Sequence, residues 1–255
     1  MRLSAAVGLG TVFLATFAMA QGGKDQRRSG YQDMSPALQK MQDDDTASPA
    51  LLYVQVGETL WKQKAGASNK ACADCHDSGS MKGVAARYPA IPPGGDKPVD
   101  LEGRINLCRT GQQKAAPFEA ESEELLDLAA YLARQSRGMP IAPTDDPRLT
   151  SFRAHGEQLF KERQGQLNLS CANCHDDNAG KKLGGAIIPQ AHPTGYPIYR
   201  LEWQALGSLK RRLRNCLIGL RAEPFDYSSP DYVDLELYLM DRAKGMTMDA
   251  PAVRP

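Results

Sequence analysis

The chain has 255 residues, 42% hydrophobic and 24% charged, which is a folded composition with room for two modest domains. Its 31 Lys and Arg against 30 Asp and Glu lack the basic excess of a nucleic-acid binder, so no nucleic-acid partner is expected. The N-terminus predicts export. Arg2 precedes an apolar run from Leu3 to Phe17, and Ala18-Met19-Ala20 fits a small-x-small cleavage site. Residues 1–20 read as a cleavable signal peptide, since the run is short for a span and lacks a stop-transfer flank. No later apolar run approaches a membrane span, so the mature protein is expected to be periplasmic without stable membrane insertion.

In chain order, the polar tract 21–46 reads as a flexible N-terminal segment free to wrap a partner. Residues 47–140 read as a first domain, 141–152 as a linker and 153–255 as a second domain. Ser48-Pro49 gives an N-cap and first-turn pair for the opening helix. Ser122 caps "EELLDLAAYLARQSRG", whose Leu125, Leu128, Ala129 and Leu132 share one face and whose Gly138 closes it. Ser229-Pro230 opens the matching helix of the second half, and Gly245 ends it. Met139 and Met246 follow these glycines and read as apolar cap contacts.

The halves repeat. "GETLWKQKAGASNKACADCHD" from Gly57 and "GEQLFKERQGQLNLSCANCHD" from Gly156 match at an offset of 99. After a nine-residue insertion the offset is 108, pairing Arg104 with Arg212, Cys108 with Cys216 and Gly111 with Gly219. One residue is then lost, and at 107 Pro117-Phe118 matches Pro224-Phe225 and Leu128 matches Leu235. Strand patterns are scarce, and "RYPAIPPGGDKP" and "GGAIIPQAHPTGYP" are long irregular stretches. The expected fold is mainly α: two tandem domains from an internal duplication, each carrying a C-x-x-C-H run and so cytochrome c-like, whose loops wrap something other than side chains.

That something is named by "CADCH" and "CANCH", both C-x-x-C-H, the attachment motif of a c-type haem. Cys72 with Cys75, and Cys171 with Cys174, are placed to form thioethers to the vinyl groups of two covalent haems, with His76 and His175 beneath the irons. A redox C-x-x-C does not need the histidine, and zinc would need two further ligands per site. Two cysteines remain, Cys108 and Cys216, 32 and 41 residues after their histidines. They read as distal axial ligands; the competing reading is a disulfide between them. His192 has no counterpart in the first half and reads as a loop histidine, with distal ligation as the alternative.

With its two C-x-x-C-H motifs, duplicated halves and R-x-x-x-C pairs Arg104/Cys108 and Arg212/Cys216, the chain resembles the dihaem A-subunit family of the Sox AX cytochrome. The resemblance implies periplasmic thiosulfate oxidation by an L-cysteine S-thiosulfotransferase. It implies a small monohaem c-type partner (Sox X), a Sox YZ sulfur carrier, and a downstream cytochrome that takes the electrons. The family's active centre, often a persulfide, falls on Cys216, with Arg212 beside it as the anion-binding group. Members without the first haem imply that the first half is dispensable for the chemistry.

The local sequence suits that role. With Leu206 to Leu217 helical, Arg212 and Cys216 lie one turn apart. Lys210, Arg211 and Arg214 would add positive potential for a dianion, and "RINLCRTG" has no such run. For Arg211 and Arg214 a solvated face or pairing with haem propionates is the simpler expectation. The rival function is a dihaem electron-transfer cytochrome without bond-making activity. A dihaem peroxidase needs an open distal position, which two cysteine ligands would remove.

Overall fold

The computed structural model describes residues 25–77 and 79–255, so the signal peptide expected over 1–20 lies outside the described residues. The architecture is helical: α1 (Pro36–Asp43), α2 (Pro49–Lys62), α3 (Leu101–Cys108), α4 (Glu123–Arg134), α5 (Thr150–Lys161), α6 (Cys171–His175), α7 (Leu209–Gly219) and α8 (Pro230–Arg242). Short strands β1 (Lys182–Leu183) and β2 (Ala186–Ile187) form a hairpin, and β3 (Ile198–Arg200), β4 (Ala205–Gly207) and β5 (Ala252–Arg254) form a small sheet in the order β4-β3-β5. Ser48 stands at the N-cap position of α2 but its hydroxyl makes no cap bond, whereas the other two expected caps form. The Ser122 hydroxyl accepts from the Leu125 amide at 3.4 Å, and Ser229 from Asp231 at 3.3 Å.

Each lobe is framed by its first and last helices, α2 across α4 and α5 across α8. The repeated glycines explain how close they come. A Cβ on Gly57 would lie 2.0 Å from the Asp127 carbonyl oxygen, and on Gly156 2.0 Å from that of Asp234. Trp61, Leu128 and Leu132 sit in the first core, and Phe160, Leu235 and Leu239 in the second.

The two lobes meet through equivalent segments. The Gly138 amide donates to the Met248 carbonyl at 2.8 Å, and the Gly245 amide to Ile141 at 2.7 Å. The Met248 amide donates to Met139 and the Ile141 amide to Met246, at 2.9 and 2.8 Å. At the offset of 107 these are two copies of the same pair of bonds, so the duplication is joined about a local pseudo-two-fold axis. Met246 packs on the apolar cluster there, and the Met139 Cε lies 2.9 Å from where a Cβ on Gly83 would be. The second lobe's sheet also reaches across: Leu206 joins the first lobe's core and Tyr199 packs against it.

Two expectations need correction. Residues 25–46 of the segment 21–46 do not lie free. Gln42 is buried, its side-chain oxygen accepting from the Val253 amide at 3.1 Å, and Arg27 donates to the Arg242 and Lys244 carbonyls at 2.9 Å each. The tract is polar because it is held by hydrogen bonds to distant backbone rather than by an apolar face. Nor is 141–152 a loose linker. Ile141 and Leu149 are fully buried, the Ala142 amide donates to the Ala86 carbonyl at 2.9 Å, and α5 already begins at Thr150.

Two predictions follow from the helix crossings. Gly156→Ala should destabilise the protein by about 2 kcal/mol in chemical denaturation, because overpacking outweighs the roughly 1 kcal/mol gain in helix propensity. Asp127 is buried beneath α2 with Glu123 and Glu124 nearby. Burial first, then those two charges, push its carboxyl up to about 6. Its penalty is absent below the unfolded value of about 4, grows as pH rises to about 6 and is full above that. Asp127→Asn should therefore stabilise the protein at neutral pH by about 1–3 kcal/mol and leave stability near pH 4 unchanged, as read from denaturant midpoints at both pH values.

Candidate haem and sulfur centres

Both C-x-x-C-H motifs form tight turns, for a reason visible in their middle residues. In the second lobe Ser170 and Asn173 cap each other: the Asn173 amide donates to the Ser170 hydroxyl at 3.2 Å, and the Asn173 side chain accepts from the Ser170 amide at 3.1 Å. In the first lobe the Asp74 carboxylate accepts from the Ala71 amide at 2.9 Å, in front of Cys72. The turns present His76 and His175 from the same place in each frame.

In the first lobe Cys72, Cys75 and His76 line a cleft of about 950 Å³, including its open mouth. Trp61, Met81, Val84, Leu101, Leu128 and Leu132 give it apolar walls, and Cys108 and Arg104 enter from α3. An apolar cleft with two thiols, an imidazole and an opposing sulfur fits a c-type haem. Cys72 carries the mark of this enclosure: burial, then the neighbouring Cys108, raise its thiol pKa.

The second lobe repeats the arrangement. Cys171, Ala172, Tyr196 and Leu213 pack around Leu159, Leu209, Leu235 and Leu239. Burial, then Cys216, push the Cys171 thiol up to about 11. His175 donates from Nδ1 to the Pro189 carbonyl at 2.7 Å, which leaves Nε2 as the basic nitrogen for a metal. Burial is the main cause of its lowered pKa, with the Arg212 and Arg242 charges adding to it and the Pro189 bond opposing. A neutral, oriented imidazole is what an iron ligand requires. Cys108 lies near Cys72 and Cys216 near Cys171, and all six cysteines are unbridged, so the Cys108–Cys216 disulfide is not formed in this structure.

Helix α7 runs Leu209–Gly219, two to three residues later than expected, because Leu206 and Gly207 belong to β4 and Ser208 supplies the cap, its hydroxyl accepting from Arg211 at 3.1 Å. Arg212 and Cys216 remain one turn apart on it. The basic run is sorted differently from its expected role. Lys210 turns inward to Asp100 at 2.6 Å, so its charge is paired there rather than offered at Cys216. Arg211 lies over the Trp203 ring at 4.3 Å. Arg214 lies over the Tyr227 ring at 4.4 Å and donates to the Phe225 carbonyl. That last task is structural, since Asn106 does the same for Phe118 in the first lobe, at 3.0 Å. Among the described residues, Arg212 alone of the run makes no side-chain hydrogen bond, ion pair or ring contact.

Some of the site escaped the motif reading. Tyr88 and Tyr196 recur at the 108 offset, each before a proline, and each stands beside its lobe's arginine and cysteine. Burial pushes the Tyr196 hydroxyl up to about 12, with Arg212 opposing and Cys216 adding. The single residue lost between the 108 and 107 offsets is a π-helical turn, Arg109–Gln113, directly after Cys108. One inserted residue is what converts an α turn into a π turn. It buries Gln113, whose amide donates to the Lys70 carbonyl at 2.9 Å and approaches the Cys72 sulfur at 3.9 Å. In the second lobe the equivalent position is Leu220, so the two centres differ in this turn. His192 is a loop residue, bonded through Nδ1 to the Arg28 carbonyl at 2.9 Å.

Comparison with known proteins agrees with this geometry. Residues 56–141 and 155–248 each match the family model described as SoxA/TsdA, cytochrome c domain. The L-cysteine S-thiosulfotransferase subunit SoxA of Pseudaminobacter salicylatoxidans is 33% identical over 233 residues, covering 90% of this chain and 82% of the relative. The same subunit of Rhodovulum sulfidophilum is 33% identical, covering 90% and 81%. In the crystal structure of SoxXA from P. pantotrophus one chain superposes with a TM-score of 0.86 at 30% identity, covering 90% of this chain and 87% of that one. Two matched cytochrome c domains correspond to two c-type haems. With both lobes matched and most of its length shared with these relatives, the chain belongs to the SoxA/TsdA cytochrome c domain family.

Proposed function

We propose that this chain is the dihaem subunit of a thiosulfate-oxidising L-cysteine S-thiosulfotransferase, exported to the periplasm and paired with a small monohaem c-type cytochrome. The observation that carries the reading is the α7 pair: Cys216 facing the second haem motif and Arg212 one turn away, unengaged while its basic neighbours are each committed elsewhere. The relatives' names and the SoxXA assembly support the activity and the partner.

In this reading Cys72, Cys75, His76 and Cys108 would hold one haem, and Cys171, Cys174, His175 and Cys216 the other. When bound, the haems would supply one-electron acceptors, at potentials that thiolate donation lowers. Arg212 offers its planar fork to the sulfonate oxygens of thiosulfate and so aims the outer sulfur at Cys216. A sulfur–sulfur bond forms between the Cys216 thiolate and that outer sulfur, with loss of two electrons. A carrier-protein thiolate, expected on a Sox YZ-type partner, then attacks the outer sulfur. It takes the thiosulfonate group and releases the Cys216 thiolate. The electrons leave through the small partner to a downstream cytochrome.

Mass spectrometry of thiosulfate-treated protein should find a sulfur adduct on Cys216 and none on Cys108. Cys216→Met should keep both haems and lose thiosulfate-dependent turnover; unchanged turnover would discard the transferase reading. Arg212→Ala should lower kcat/KM for thiosulfate about 10- to 100-fold, the worth of a charge-assisted contact. Arg214→Asn, which restores the first lobe's arrangement, should leave kcat/KM within about twofold of wild type.

A further inference from the structure

Between the lobes lies a second, small cavity, of about 40 Å³, whose lining holds charge that the transfer reaction does not use. Asp100 and Glu102 enter it from the start of α3, Lys210 from α7 and Glu236 from α8. It shares walls with both haem regions. Tyr88 and Leu101 line this cavity and the first-lobe cleft, while Tyr196 and Leu209 line it and belong to the second-lobe core.

The charge there does not balance. Lys210 pairs with Asp100 at 2.6 Å, both largely buried, and Asp100 also accepts from the Gly103 amide at 2.7 Å. Burial opposes the Lys210 charge, but the Asp100 and Glu102 carboxylates outweigh it, so the lysine keeps its proton. That pair is neutral and leaves two carboxyls with no cation of their own. With all groups ionised the cavity would hold three negative charges and one positive, a net −2, with Asp100 buried and Glu102 and Glu236 partly buried. Glu121, beside Ser208, adds a further negative charge to Glu102, and Tyr88 and Tyr196 are neutral walls. The duplication has placed Glu102 and Lys210 at equivalent positions, facing one cavity from opposite lobes.

We propose that this cavity is a proton-binding site serving both haem centres: the Glu102–Glu236 pair takes up a proton when an electron enters the lobes and releases it when the electron leaves. An electron arriving on either side adds a negative charge next to carboxyls that already repel one another, and a proton from solvent restores the balance. Burial, then Asp100, raise both carboxyls, with Lys210 offsetting; Glu236 reaches about 8, so the pair is poised to exchange a proton near neutral pH. A group that binds its proton more tightly in the reduced state makes the midpoint potential fall as pH rises through its titration.

The test uses the haem-loaded full chain, reduced by a chemical reductant without thiosulfate, so its outcome is independent of the transferase reading. Midpoint potentials of both haems are measured from about pH 6 to 10 for wild type, Glu236→Gln, Glu102→Gln and the surface control Glu162→Gln. Proton uptake on reduction is followed with an indicator dye in weak buffer. Wild type and Glu162→Gln should show potentials that fall with pH around 8 and a matching proton uptake, and each cavity variant should flatten that region and lose most of the uptake. Should one cavity variant fail to fold, the other and the wild-type uptake still decide. Wild-type potentials flat across this window would overturn the proposal. So would a slope kept in both cavity variants, which would assign it to haem propionates.

Discussion

In each lobe a C-x-x-C-H turn and one further cysteine come close together, and the glycine-permitted helix crossing sets the frame that carries them. With Gly57 against Asp127 and Gly156 against Asp234, the first and last helices of each lobe come backbone to backbone. The attachment turn follows the first helix and the cysteine helix precedes the last. Their separation is therefore fixed by one contact in each lobe, not by the long irregular loops between them. Those loops are free to be rich in glycine and proline because they are not asked to hold the frame.

On that frame the two equivalent centres differ in structure. The first lobe follows its cysteine with a π turn that buries Gln113 next to Cys72. The second lacks the inserted residue, has Leu220 at the Gln113 position, and leaves Arg212 without an ion pair or side-chain hydrogen bond among the described residues. Arg214 shows how a basic run divides: its charge replaces the amide of Asn106 in holding a Pro-Phe loop, while Arg212 keeps the position of Arg104. The pseudo-two-fold ladder at Gly138–Ile141 and Gly245–Met248 then sets the two centres on either side of one charged cavity.

Much of this was legible in the sequence because it repeats. The offsets of 99, 108 and 107 gave the lobes, the framing helices and the paired arginines and cysteines, and the step from 108 to 107 recorded the π turn. What stayed hidden depends on partners far along the chain. Gln42 is buried because the Val253 amide and the Arg254 guanidinium, more than 200 residues on, take its side-chain oxygen, and nothing local marks it. Lys210 read as part of a basic surface because Asp100, its partner, lies in the other lobe. Short strands such as Ala205–Gly207 carry too few residues for a period, and their apolar face, Leu206, belongs to the opposite core.

The account rests on the sulfur of Cys216 standing opposite His175 in the second lobe. Low-temperature electron paramagnetic resonance of the oxidised, haem-loaded chain tests this directly. The account predicts two low-spin species with a histidine and a sulfur anion as axial ligands, one of them lost when Cys216 is replaced by serine. A second-lobe signal of histidine–methionine or bis-histidine type, or a spectrum unchanged by that replacement, would contradict it.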